Sequence, residues 1–222
     1  MIKGIDISHH NNFKDPSDIL QYDFVIMKAT EGCNFKDPKI KLYNDILSSV
    51  EKFEAPVRGF YHFARPERLN HYGDEAANFL KTVAPYLKYS PILALDVEAQ
   101  ALKFPDLDEW CLAWCKYVYN MTGVKPLIYC SAAECHRFKK CAAFGCGLWV
   151  AKWSITKPTK KQILPWEFWA IWQYYNAALI SGAKTDIDYF NGTIEQLVKY
   201  GEADHGPEDD KATKNSGNRE DI

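Results

Sequence analysis

The chain has 222 residues, is 47% hydrophobic and 14% aromatic, and carries a formal charge of only −2 at neutral pH. That suffices for one domain with a sizeable core and excludes a chain disordered throughout. Without a dense Lys/Arg block no nucleic-acid partner is expected, and without about 18 consecutive uncharged apolar residues no membrane span is expected either.

Strand-like runs rich in β-branched and aromatic residues recur along the chain. The first, "IKGIDIS" (2–8), follows the initial Met directly, so no signal peptide is expected. Next come "FVIMKAT" (24–30), "VRGFYHF" (57–63), "PILALDVE" (91–98), "PLIYCS" (126–131), "LWVAKW" (148–153), "WAIWQYY" (169–175) and "TDIDYF" (185–190). Helix-like segments separate the early ones. Residues 39–53 place Ile40, Tyr43, Ile46, Leu47 and Val50 on one face at the helical period. Residues 71–83 and 106–121 behave alike, and 132–143 more weakly.

Strands alternating with helices predict a parallel sheet, and near-continuous apolar strands predict that both of its faces are covered. Eight strands predict closure into an irregular α/β barrel of the TIM-like kind, with about five helices. Residues 154–168, with Pro158 and Pro165, show no amphipathic helix. The nine or so residues between Tyr175 and Thr185 are too few for a parallel crossover, so the last strand is expected antiparallel. Residues 1–200 are expected to form the barrel. From Gly201 onward seven acids face three bases with no aromatic residue, which predicts a disordered tail or linker over 201–222.

Seven cysteines leave at least one unpaired, and reduced thiols are expected. Cys130, Cys135, Cys141 and Cys146 lie near His136 but lack the C-x₂-C spacing of structural zinc sites. No metal and no cofactor are expected. Cys111 and Cys115, four apart, read as small core residues of a helix.

The chemistry concentrates in "LALDVEAQ" (93–100). Residues i and i+2 of a strand share a face, about 7 Å apart. Asp96 and Glu98 therefore project together from a strand end, where barrels of this kind place their reactive groups. Asp6 lies late in the first strand. An antiparallel last strand begins at the same mouth, bringing Asp186 opposite Glu98. Crowded carboxylates cannot all ionise cheaply, and a protonated acid beside an ionised one is what glycosidic cleavage requires. Lys28 and Arg65 are read as neutralising this cluster, His9 and His10 as rimming the cleft, and His62 as facing the helices.

The sequence resembles glycoside hydrolase family 25, the Chalaropsis-type lysozymes that include many phage endolysins. "GIDIS" (4–8), "FVIMKATEG" (24–32), "GFYHFARP" (59–66), "LALDVE" (93–98), "PLIYCS" (126–131), "LWVAKW" (148–153), "WQY" (172–174) and "TDIDYFNG" (185–192) carry the resemblance, in order. It implies a monomeric muramidase cutting the β-1,4 bond between N-acetylmuramic acid and N-acetylglucosamine of peptidoglycan glycan strands. It implies Glu98 as general acid/base, with Asp96, Asp6 and Asp186 as the remaining catalytic acids. Tyr61, Phe63, Tyr129, Trp153, Gln173 and Asp188 would contact substrate. Asp188 stands where the family usually has Asn, and Asn11 where Gln is common. An endolysin of this kind would be made in the cytosol and reach the wall after release. Two other readings are a non-catalytic peptidoglycan-binding barrel and a carboxylate/Mg²⁺-dependent phosphotransferase.

Overall fold

The computed structural model describes residues 2–51 and 54–204. The chain begins with β1 (Ile2–Ile7) and β2 (Phe24–Glu31), followed by β3 (Phe35–Lys36), a short strand paired with the end of β2. The remaining strands are β4 (Val57–Phe63), β5 (Ile92–Asp96), β6 (Leu127–Ser131), β7 (Leu148–Ala151), β8 (Ile171–Ile180) and β9 (Ala183–Phe190). Apart from β3, these strands close a barrel: β1, β2, β4, β5, β6, β7 and β8 run parallel, and β9 returns antiparallel between β8 and β1. All eight expected strands are present, and the last has the expected direction.

The final hairpin is longer than its sequence suggested. β8 continues to Ile180 and β9 starts at Ala183, joined by Ser181 and Gly182 at φ 45° and 83°. Two consecutive left-handed residues make the type I′ turn that suits the twist of a tight hairpin. Pairing of β7 with β8 stops at Gln173, and pairing of β9 with β1 stops at Asp186. Residues 174–185 therefore stand beyond the barrel rim as a two-stranded ribbon. It leans on the loop after β1, with the Lys14 and Asp15 N–H groups donating to Ser181 O and Oγ at 2.7 Å each.

Six α-helices occur among the described residues: α1 (Ile40–Leu47), α2 (Tyr72–Val83), α3 (Leu107–Thr122), α4 (Lys139–Phe144), α5 (Lys160–Ile163) and α6 (Ile194–Lys199). The predicted helix over 39–53 stops at Leu47, where Ser48 caps it. α5 is a single turn in a stretch expected to lack a helix, held between Pro158 and Pro165 by a Thr159/Gln162 capping box. α6 begins with the same device at Thr193 and Gln196, a Thr-x-x-Gln signature legible in the sequence.

Alternation along each strand sorts the side chains into two layers. Ile5, Val25, Met27, Phe60, Leu93, Leu95, Ile128 and Val150 belong to the core under the helices. Phe24, Ile26, Tyr61, Ile92, Ala94, Leu127, Tyr129, Trp149, Ile171 and Phe190 fill the barrel. Gly4 is needed in that filling, since a Cβ there would run into the Phe24 ring. All seven cysteines are free thiols, and Cys111 and Cys115 are buried in the helical layer as expected.

His62 faces the helices, as predicted. Its ring stacks on Trp114 (5.4 Å between centroids), and its nitrogens meet Thr30 Oγ1 and Glu75 Oε2 at 2.7 Å each. Glu75 also accepts from Asn70 Nδ2 (2.7 Å) and the Arg65 N–H (3.1 Å). Replacing Glu75 with alanine should cost about 3 kcal/mol in denaturant unfolding, because three buried or half-buried donors lose their acceptor. Burial lowers the His62 pKa below the usual 6.5, outweighing its Glu75 partner. The unfolded chain thus binds a proton that the folded chain refuses, and stability should decline as pH falls below about 6.5.

Of the tail expected from Gly201, the first residues belong to the packed body. The Asp204 N–H donates to Gly123 O (2.8 Å), and its carboxylate lies 3.7 Å from Lys125 Nζ. Residues 205–222 lie outside the described residues.

Candidate active site

At the C-terminal ends of the parallel strands the barrel opens into a cleft of about 530 Å³. Its walls carry Asp6, Tyr61, Phe63, Asp96, Glu98, Tyr129, Trp153, Gln173 and Asp186, nine of the ten residues singled out from sequence. The tenth, Asp188, is fully buried and does not line the cleft. It sits one inward-facing position deeper on β9 than Asp186. There it pairs with Gly4 across the sheet, and its Oδ1 accepts from Trp149 Nε1 at 2.8 Å. A substrate contact by Asp188 is therefore corrected to a place beneath the floor.

The interior is graded from floor to rim. Apolar side chains such as Phe24, Leu127 and Ile171 fill the bottom. Above them Trp149 packs edge-on to Tyr129 and Tyr61, with centroids at 4.7 and 6.2 Å. The carboxylates occupy the top. Asp96 ends β5 and is only 7% exposed. Glu98 follows in extended conformation, just before Ala99 turns left-handed at φ 52°. Both carboxyls reach the cleft, as the i, i+2 spacing requires.

Burial dominates the proton affinities here. Asp6 is held well above the ordinary range by burial and then by Asp188 and Asp186. Asp96 is likewise raised by burial, then by Glu98. Burial raises Glu98 too, while Lys28 and Arg65 pull it partway back. Asp186 rises to about 6 through burial and the Glu98 charge. Such a cluster holds its protons more tightly than isolated carboxylates do.

Sequence reasoning passed over Glu31. Residues 28 and 31 of a regular strand would face opposite sides, but the β2–β4 register shifts between Lys28 and Thr30. This bulge turns Thr30 toward His62 while keeping Lys28 and Glu31 both on the cleft, 2.7 Å apart. Arg65 Nη2 reaches Glu31 Oε1 at 2.6 Å. Burial alone would raise Glu31, but hydrogen bonds and charge from Lys28 and Arg65 hold it below the usual range. Phe63 lies beneath both cations, at 4.6 Å from Lys28 Nζ and 4.7 Å from Arg65 Cζ. The two cations thus serve the acid cluster, as expected, through an anion the pattern did not reveal.

Gln173 holds the opposite wall together. Its Oε1 accepts from Tyr129 OH (2.9 Å) and Trp153 Nε1 (3.0 Å), and its Nε2 donates to Asp6 Oδ2 (2.8 Å). Trp153 is 61% exposed, presenting its ring at the rim. His10 lines the cleft, whereas His9 turns to Asp37 with Nδ1 at 2.7 Å from Oδ2. Among the described residues no three His, Cys, Asp or Glu side chains form a group suited to a metal ion.

An α/β barrel whose mouth gathers buried acids, aromatic rings and amide groups defines a carbohydrate-cleaving enzyme of the carboxylate type, a glycoside hydrolase. The sequence matches the model of glycosyl hydrolases family 25 over residues 5–183, and the chain belongs to that family. It is 26% identical over 214 residues to Lysozyme M1 of Streptomyces globisporus, covering 89% of this chain and 70% of that one. The crystal structure of a bacterial lysozyme from Streptomyces coelicolor has the same fold, with TM-score 0.75 at 24% identity, over 90% of this chain and 96% of the other. The CTP1L endolysin superimposes with TM-score 0.71 at 26% identity, over 90% and 70% of the two chains. No helix among the described residues is long and apolar enough to cross a membrane.

Proposed function

We propose that the chain is a retaining N-acetylmuramidase, hydrolysing the β-1,4 bond between N-acetylmuramic acid and N-acetylglucosamine in bacterial peptidoglycan. The observation that carries this reading is the Asp96/Glu98 pair. Asp96 Oδ1 is buried without a hydrogen-bond donor at the end of β5, and Glu98 stands beside it with a raised pKa. A sugar 2-acetamido group offers the N–H that Asp96 lacks. Accepting it favours the ionised form of Asp96 and leaves the shared proton to Glu98. Glu98 then protonates the glycosidic oxygen, and the acetamido carbonyl oxygen attacks the anomeric carbon as the leaving group departs. Asp96 balances the cationic ring that forms. Water, deprotonated by Glu98, opens that ring on the same face, giving net retention.

Asp6 and Asp186 flank this pair as further acids of the site, and Tyr61, Tyr129, Phe63 and Trp153 supply the sugar-facing surface. The barrel expected over residues 1–200, with the packed residues that follow it, is read as the catalytic unit, working as a monomer on the cell wall in the manner of an endolysin. Purified peptidoglycan tests the proposal through turbidity loss and labelling of new reducing ends. Reducing N-acetylmuramic acid is the expected product; reducing N-acetylglucosamine alone, or no release, overturns it.

A further inference from the structure

From the cleft wall down to the residue beneath its floor runs a chain of hydrogen bonds with one link that no N–H or O–H of the described residues supplies. Tyr129 and Trp153 donate to Gln173, and Gln173 donates to Asp6 Oδ2. From the other end, Trp149 donates to Asp188 Oδ1. Asp188 Oδ2 is buried and has no donor. Its neighbour is the other acid, since Asp6 and Asp188 are buried inward-facing residues at diagonal positions of the paired strands β1 and β9, Asp6 opposite Asp186 and Asp188 opposite Gly4. Two ionised carboxylates offer only acceptors to each other, so the contact is repulsive unless a proton occupies it.

We propose that Asp6 and Asp188 share a single proton, and that Asp188 is a positioning residue holding Asp6 as a neutral carboxyl. With the proton on Asp6, Asp6 donates to Asp188 Oδ2 while its other oxygen still accepts from Gln173. Asp188 keeps the charge, balanced by the indole N–H of Trp149. Every polar group in the chain then has its partner, and the direction of each bond is fixed from Asp188 through Gln173 to the Tyr129 hydroxyl at the cleft. The pair carries one negative charge in place of two. The role ascribed to Asp6 rests on the functional reading above, whereas the shared proton rests on the buried, donor-less Asp188 Oδ2 on the strand beside Asp6.

The surroundings favour keeping that proton. The titratable groups facing the pair are Asp186 from β9, Asp96 from β5 with Glu98 just beyond it, Tyr61 from β4 and Tyr129 from β6. Two of the cations lining the cleft, Lys28 and Arg65, are committed to Glu31. Burial pushes Asp6 well up, and burial together with Asp186 raises Asp188 to about 7 despite the Trp149 hydrogen bond.

Infrared spectroscopy of the full chain with carbon-13-labelled aspartate tests the assignment without substrate. Asp188→Asn substitutes an amide N–H for the proton, so Asp6 ionises. At neutral pH the variant should show one protonated aspartic carboxyl fewer than wild type. The alkaline limb of kcat/KM against pH, set by the Glu98 proton, should also move downward, because a second charge no longer develops in the pair to hold that proton. An unchanged count of protonated carboxyls, or a wild type that shows none, overturns the proposal. A wild-type chain that cleaves no peptidoglycan, while the variant loses the carboxyl signal as expected, would overturn the muramidase reading and uphold the shared proton.

Discussion

Glu98→Gln should lower kcat on purified peptidoglycan by about 10²–10⁴-fold, the range set by a positioned general acid. The amide matches the carboxyl in shape and still forms hydrogen bonds, but it has no proton to give to the leaving sugar oxygen. Binding to insoluble wall material should be retained, since the aromatic surface and the Glu31 cluster are untouched. The pH dependence carries its own sign. Burial holds Glu98 above the ordinary carboxylate range, so the acid form persists toward neutrality and activity declines as pH rises through that raised value. Turbidity assays across pH, with pull-down of the variant on walls, check both points. Lysis at the wild-type rate would remove Glu98 from the chemistry.

The second large effect concerns Asp96 and the acetamido group together. Asp96→Asn should cost roughly 10²–10³-fold in kcat, the size expected for losing one preorganised charge that faces a developing cation. A glycan whose N-acetyl groups have been removed should suffer comparably with the wild-type enzyme, because the internal nucleophile is gone. The two losses should not add: Asp96→Asn on the deacetylated glycan should be little worse than either change alone, as both disable one step. Undiminished turnover of the deacetylated glycan would instead make Asp96 a covalent nucleophile, the ordinary retaining scheme.

Much of this arrangement was legible in the sequence. Strand alternation, the spacing of Asp96 and Glu98 and the shortness of the last connection predicted a closed barrel with acids from three strand ends at one mouth. What escaped has a common cause. Glu31 is brought to the cleft by a bulge, and a bulge changes facing without changing composition. Asp188 was placed on the substrate surface because it shares a face with Asp186. Sharing a face says nothing about depth, and on an antiparallel strand each step along the chain descends. The partners that fix Gln173 and His62 come from residues far apart in sequence, such as Asp6 and Glu75, and no local pattern announces them. The helix ends were misjudged for the usual reason that short segments are decided by caps as much as by periodicity.

The ribbon formed by the last two strands divides the chain into places that tolerate insertion and places that do not. Added residues at Ser181–Gly182 would lengthen an overhang while leaving every pairing below Asp186 in step. A single residue added between Asp188 and Phe190 would flip the inward set before it outward and withdraw the carboxyls of Asp186 and Asp188 at once. The ribbon's tip is thus the natural graft point for a targeting peptide beside the cleft, and the end of β9 is where one slipped step would silence the enzyme.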